Sequence, residues 1–496
     1  MKNKNTAQTN HYLILIFGLL SVFVKLYQIS YRSFFQDELY SVSAAFEPSY
    51  NKFIENWVLY DSNPPLYYFF LRFWLKIVPT TEFWVRVPSV IFILLASFIF
   101  IRGIKKRFEN FEWFYLLLFI GCCYGFLFFA QEARAYGLLL LLTCLQLLQF
   151  IDLLKLNEEE KKLNRIFGFA LLSILSSYTH YTGIVFSGIL YFILIFEFKN
   201  NLVFLKKILL AILISLMSGI FWVTNFLFFF HLDKSFIIHQ KFSIIKSIIP
   251  MLFFGYSTVG KVLSIICFFL FLLLLFFFVK KKVLFSKENK VIISLGLTSI
   301  IILILSPFIR YFFSYRHYIV FIPIILLSFS VLLSNLVKVS EIQKSFLLIV
   351  GIVVLVFQSF THYKSERENW RQAVNYCIKI ANNEKTKVIV IGEPWEKTPK
   401  GYLLNNHGDL NLSIRRKTYY LYYFNQLNKN KNIHLIVLRS NNKIIEEYIE
   451  NELKTKDKVI ILSYTAGFSK DIQKLNVHCK VIKKQFYGHV VYYCLK

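Results

Sequence analysis

Residues 166–197 read IFGFALLSILSSYTHYTGIVFSGILYFILIFE, a run with no internal Lys, Arg or Asp. It reads either as one long tilted membrane helix or as two spans, 166–179 and 181–197. The polar group Thr179-His180-Tyr181-Thr182-Gly183 interrupts it, and a glycine beside polar residues marks a break. The choice decides the topology. Unsplit, the run inverts every later loop and puts the basic clusters at 198–207 and 280–290 on the wrong side. We therefore read two spans.

Working outward, the rest of the chain is equally apolar. Of 496 residues, 56% are hydrophobic, 19% aromatic and 17% charged, against about 25% charged and 45–50% apolar in soluble domains. With a span needing about 20 mostly apolar residues, candidates fall at 11–30, 83–101, 113–130, 135–151, 166–179, 181–197, 208–229, 262–279, 291–309, 318–337 and 345–361. This is a polytopic α-helical membrane protein with about 11 transmembrane helices. Residues 64–76 are apolar but short, and suit a helix lying in the membrane interface. They belong to a long first outer loop, 31–82.

The net charge of +28 is spread as a membrane protein spreads it. With the N-terminus inside, the inner pieces carry 20 Lys and Arg and the outer ones, although longer, carry 11. Positive charge resists translocation, so this orientation places the C-terminal region outside the cytoplasm. The pattern calls for no nucleic acid. Seven scattered cysteines make no disulfide framework or metal-ligand spacing.

From 362 the sequence turns soluble and lysine-rich, with 24 basic and 12 acidic residues from Lys364 onward. Residues 387–392, 434–438 and 458–463 read as short buried strands, separated by helices at 366–382 and 441–455. That alternation predicts a small extracytoplasmic α/β domain with a mainly parallel sheet. A closing hairpin over 477–484 and 489–495 would bring Cys479 and Cys494 together, bonded or as free thiols. The expected domains are 1–361 and 362–496.

Within the spans ionisable groups are scarce, Lys25 being the main exception. They collect at the outer ends instead: Asp37-Glu38, Asp61, Glu132 and Arg134, His180, Arg310, Arg316 and His317. Carboxylates, arginines and histidines gathered beneath an apolar body suit an active site. Arginine forks onto phosphate, histidine adds a hydrogen bond, and a carboxylate takes a proton from an incoming hydroxyl. That set fits inverting glycosyl transfer from a membrane-anchored sugar phosphate. A lipid-linked glycan transporter or flippase would bury ionisable groups in its spans, and their scarcity argues against it. A non-catalytic envelope assembly factor that keeps the fold is the other alternative.

Several motifs resemble a known family. Phe35-Gln36-Asp37-Glu38 resembles the DE motif in the first outer loop of GT-C glycosyltransferases. Asp61-Ser62-Asn63-Pro64-Pro65-Leu66-Tyr67-Tyr68 is similar to an element of family 39, the superfamily of protein O-mannosyltransferases and aminoarabinose transferases. Gln131-Glu132-Ala133-Arg134-Ala135-Tyr136-Gly137-Leu138, Thr179-His180-Tyr181, Arg316-His317-Tyr318 with Pro323, and Glu368-Asn369-Trp370-Arg371 follow in family order. His317 stands where many relatives have Tyr.

The resemblance implies a GT-C fold in a bacterial inner membrane, with the active site and C-terminus extracytoplasmic. It implies Asp37 as catalytic base with Glu38 beside it, and Arg134, His180, Arg316 and His317 at the donor phosphate. Asp61, Glu132 and Tyr136 would support the substrate. The implied donor is a polyprenyl-phosphate sugar, and the acceptor a protein, a glycolipid or a polysaccharide. No cofactor is required, although a weakly held divalent cation at Asp37 is compatible with the carboxylates.

Each residue also has a plain structural reading. Asp37 and Glu38 point about 100° apart on a helix, so Glu38 is open to a loop-holding role. Asp61 is a possible helix cap, Glu132 a partner for Arg134 or a lipid headgroup, and His180 a satisfied interface histidine.

Overall fold

The computed structural model describes residues 2–59, 61, 63–109, 111–155, 163–232, 250–255, 262, 276, 286–305, 315–364, 368–381, 386–392, 420, 422, 423, 425, 427, 433–439, 442–454, 458–464, 480–486 and 489–495. The chain divides into two compact units. One comprises residues 1–29, 62–67 and 86–364, and the other 30–61, 68–85 and 365–496. The two pieces of the first outer loop thus group with the C-terminal region, whereas the sequence had assigned the whole of 31–82 to the membrane domain.

The first unit is helical. Its helices are α1 (Lys2–Leu26), the start of α3 (Leu66–Trp74), most of α4 (Glu82–Arg107), α5 (Trp113–Cys122), α6 (Tyr124–Phe128), α7 (Tyr136–Leu154), α8 (Leu163–Thr179), α9 (Tyr181–Glu197), α10 (Leu202–Leu232), α11 (Lys287–Leu305), α12 (Ile322–Leu336) and α13 (Glu341–Lys364). Among the described residues five helices are long and apolar enough to cross a membrane: Glu82–Arg107, Tyr136–Leu154, Leu202–Ile220, Arg316–Leu336 and Glu341–Tyr363. The pair Trp113–Cys122 and Tyr124–Gln131, bent by 56°, is either a broken sixth span or a re-entrant loop. Eleven were expected. Helices α8 and α9 have 17 residues each, about 25 Å at 1.5 Å per residue and short of a ~30 Å core. The candidate span 262–279 lies outside the described residues except for 262 and 276.

The break in the run that opened the sequence reading is present. His180 is extended (φ −162°, ψ 144°) between α8 and α9, and the two helices pack side by side. Gly183 permits that approach: a Cβ there would sit 2.4 Å from the Ser176 carbonyl oxygen. Buried Gln146 of α7 binds both arms, with Nε2 donating to Ser173 Oγ at 2.8 Å and Ser187 Oγ at 2.9 Å.

Ion pairs join helix ends that alternation assigns to one face. Arg107 forks onto Asp152 at 2.7 and 2.5 Å. Lys344 lies 3.5 Å from Glu112 and 3.0 Å from Glu341, Asn10 Nδ2 donates to the Glu341 carbonyl at 3.0 Å, and Lys287 pairs with Glu197. The His180 end of α9 lies against Tyr136 at the start of α7, and its other end carries Glu197. Exposed apolar rows, such as Leu15, Leu19 and Phe23 of α1, present the surface that hydrocarbon would cover.

In the second unit, α2 (Gln36–Phe46) and the outer-loop pieces accompany α14 (Trp370–Ala381), α15 (Asn442–Leu453) and five strands: β1 (Thr386–Gly392), β2 (Ile433–Arg439), β3 (Lys458–Tyr464), β4 (Lys480–Phe486) and β5 (His489–Leu495). The sheet order is β2-β1-β3-β5-β4. The first three strands are parallel, and β5 runs antiparallel to both β3 and β4. The sheet is therefore mixed, with the expected hairpin as its antiparallel edge. Cys479 and the turn residues Tyr487-Gly488 lie outside the described residues, and with them the question of a Cys479–Cys494 pair.

Candidate active site

In the first unit, six of the residues singled out in the sequence come together. The loop between α6 and α7 carries Glu132 and Arg134, 1% and 7% exposed. It turns tightly: the Glu132 carbonyl accepts the Arg134 N–H at 2.9 Å and the Ser89 hydroxyl at 2.6 Å. Tyr136 begins α7, and its ring lies 5.8 Å from that of His180. His180 in turn stands 5.5 Å from His317. Arg316, on a 3₁₀ turn leading into α12, has Nη2 4.0 Å from Glu132 Oε1.

The hydrogen bonds fix the state of His180. Its Nδ1 receives the Thr182 backbone N–H at 3.2 Å and lies 2.8 Å from Thr182 Oγ1. A backbone N–H can only donate, so Nδ1 is unprotonated and the ring hydrogen sits on Nε2. Burial, then the neighbouring charges of His317 and Arg134, hold the imidazole well below its usual pKa. It is a neutral hydrogen-bond donor among cations. A cavity of about 410 Å³ lies between α8, α9 and α10, walled by Tyr178, Tyr181, Tyr191, Phe192 and Trp222 and reaching Pro64; His180 is not among its lining residues.

Asp37, Glu38 and Asp61 belong to the other unit. Asp37 is half-buried in the first turn of α2. Glu38 is fully buried and accepts the Phe35 N–H at 3.1 Å, so it caps its own helix. Asp61 is half-buried. Arg310 lies outside the described residues. Among the described residues, no group of three or more His, Cys, Asp or Glu is placed to hold a metal ion.

The Glu368–Arg371 motif is a clasp. The Glu368 carboxylate accepts the Gln36 N–H at 2.7 Å and the Trp370 indole N–H at 3.0 Å. It thereby places a negative charge at the N-terminus of α2. Arg371 binds Glu82 at 2.5 Å and the Ser30 and Tyr31 carbonyls at 3.0 and 3.2 Å. Tyr423 accepts the Phe34 N–H at 2.6 Å. The sequence placed this motif at the opening of the outer region and gave no sign of the bonds.

The buried polar groups around Gln131 and His362 were also missed. Their only signal is position: a glutamine heading the Glu132–Arg134 motif, and a lone histidine near the end of the last apolar run.

These features define a polytopic α-helical membrane protein carrying an α/β domain. The fold is similar to that of ArnT from Cupriavidus metallidurans, a GT-C-type protein. Its structure bound to undecaprenyl phosphate matches with a TM-score of 0.58 at 10% identity, covering 97% of each chain. The apo structure of the same protein matches at 0.57 and 9%, covering 98% of each. At such identity the likeness is one of fold, and it runs from end to end of the chain. No model of a known protein family and no curated protein sequence matches this chain.

Proposed function

We propose that this protein is a membrane glycosyltransferase that moves a sugar from a polyprenyl-phosphate donor to an extracytoplasmic acceptor with inversion. The observation that carries the reading is the Glu132–Arg134–Tyr136–His180–Arg316–His317 cluster, buried except for the half-buried Arg316 and His317, in which two guanidinium groups and a neutral imidazole donor collect within the helical unit that also holds an apolar cavity. That arrangement suits a phosphate whose prenyl chain needs a dry wall. The fold supports it, since ArnT has been seen with undecaprenyl phosphate bound.

In this mechanism an acceptor hydroxyl attacks the anomeric carbon from the face opposite the phosphate. Its oxygen bonds to the sugar as the bond from sugar to phosphate breaks, and Asp37 takes the hydroxyl proton. The phosphate leaves with added negative charge, which Arg134, Arg316 and the His180 Nε2–H stabilise. Glu132 tempers Arg316, and Glu38 holds α2 so that Asp37 is presented. No metal is needed for a lipid monophosphate leaving group. The reading assigns residues 1–361 to a catalytic membrane domain and 362–496 to an outer domain, in a cytoplasmic membrane with the site facing outward. The acceptor is a protein, a glycolipid or a polysaccharide.

The test is transfer from a radiolabelled polyprenyl-phosphate sugar by protein in nanodiscs, with the product's anomeric configuration determined. Retention of configuration, or donor binding without transfer to any acceptor class, overturns it.

A further inference from the structure

The last carbonyls of helix α1 need partners from outside the helix; around them Val24, Lys25 and Ile29 are buried, while Leu26 and Tyr27 are exposed. Each of the last four finds a partner. Phe23 O accepts the Tyr27 N–H and Leu26 O the Ile29 N–H, while Val24 O accepts the Tyr363 hydroxyl. Lys25 O accepts from Gln131 Nε2 at 3.2 Å, and the same amide lies 2.9 Å from Tyr27 O and 3.4 Å from Val24 O.

Those bonds set the direction of everything behind them. Carbonyls only accept, so the Gln131 amide nitrogen faces α1 and Oε1 faces His362 Nε2, 3.2 Å away. Oε1 also only accepts, so His362 carries its hydrogen on Nε2. Nδ1 is then open to the Tyr124 hydroxyl at 2.9 Å. The result is a one-way chain from Tyr124 through His362 and Gln131 to the end of α1. Gln131 is 4% exposed and His362 fully buried. The next residues after Gln131 are Glu132, Ala133 and Arg134.

We infer that Gln131 and His362 are positioning residues that hold the Glu132–Arg134 loop in register for a phosphate ligand. The inference rests on the proposed function for the ligand, but not for the register. Neither side chain is asked to touch substrate. Gln131 ties the loop to α1, the Glu132 carbonyl ties it to Ser89, and His362 keeps the amide from turning over. A loop held at both points keeps the buried Arg134 guanidinium pre-placed, so binding need not order it.

The test uses the full chain in nanodiscs, with undecaprenyl phosphate as the probe and hydrogen exchange of the backbone as a second readout. Gln131→Leu and His362→Phe should speed exchange over residues 132–135 while leaving α8 unchanged. Both should weaken undecaprenyl phosphate binding by about 3- to 10-fold, the order expected from losing one buried neutral hydrogen bond. His362→Gln keeps an N–H at the Nε2 position and should stay near the unmodified protein on both readouts. In an Arg134→Ala background, Gln131→Leu should cost no further affinity, because the group it positions is gone. Unchanged exchange in folded variants overturns the inference. So does His362→Gln matching His362→Phe, or a full additive loss without Arg134. An unmodified protein that binds no undecaprenyl phosphate sinks the proposed function instead, and the exchange experiment still decides the register.

Discussion

Replacing Arg134 by Ala gives the sharpest test of the phosphate assignment. Arg134 is 7% exposed, so its charge is little screened by solvent. The Arg316 guanidinium lies 4.0 Å from Glu132, and part of its charge is taken up by that carboxylate. Deleting Arg134 therefore removes one charge-assisted contact, worth about 1.5–3 kcal/mol. At about 1.4 kcal/mol per decade, donor affinity should fall roughly 10- to 150-fold. Arg134→Lys should recover only part, because an ammonium lacks the two-pronged fork. The Glu132 backbone turn uses the Arg134 N–H, which both variants keep, so the loop should survive. The assay is titration of undecaprenyl phosphate into nanodisc-embedded protein, with the unfolding midpoint in detergent as a control. A folded Arg134→Ala protein that binds the lipid as tightly as the unmodified one refutes the reasoning.

Asp37→Asn keeps the side-chain shape while removing the base. Turnover should drop about 10²–10⁴-fold with donor binding preserved, and full turnover would mean that Asp37 is not the base and that Glu38 or Asp61 must be tested in its place. Alkaline phosphatase fused after residue 400 should be active in cells; an inactive fusion with an active cytoplasmic reporter would invert the topology. His180 stays neutral when folded, because burial keeps its pKa well below 6.5. An unfolded histidine protonates near 6.5, so the unfolded state binds more protons below that pH. Stability should fall by at most about 1.4 kcal/mol per pH unit as pH drops through 6.5. This part of the pH dependence should disappear in His180→Gln, as read by unfolding midpoints between pH 7.5 and 5. Gly183→Ala drives a methyl group into the Ser176 carbonyl. It should cost about 1–3 kcal/mol, as overpacking does, and a midpoint equal to the unmodified protein's would show that α8 and α9 do not approach so closely.

Much of this was legible in the chain itself. Composition and run length are enough to establish a membrane protein, because nothing but lipid covers so much apolar side chain. The polar interruption at Thr179–Gly183 marks the break at His180, since polar residues beside a glycine interrupt the apolar run. Three parallel strands and a hairpin follow from short β-branched runs between turn residues. What the chain could not disclose are bonds between distant segments. Glu368 meets Gln36 across 332 positions and His362 meets Gln131 across 231. That Glu38 accepts the Phe35 N–H is likewise a feature of the folded helix end. The grouping of the first outer loop with the C-terminal region was equally invisible. Periodicity and spacing report which face of an element is apolar, a property of neighbours along the chain. Which two polar groups meet depends on how whole helices cross, and only the packed tertiary structure decides that.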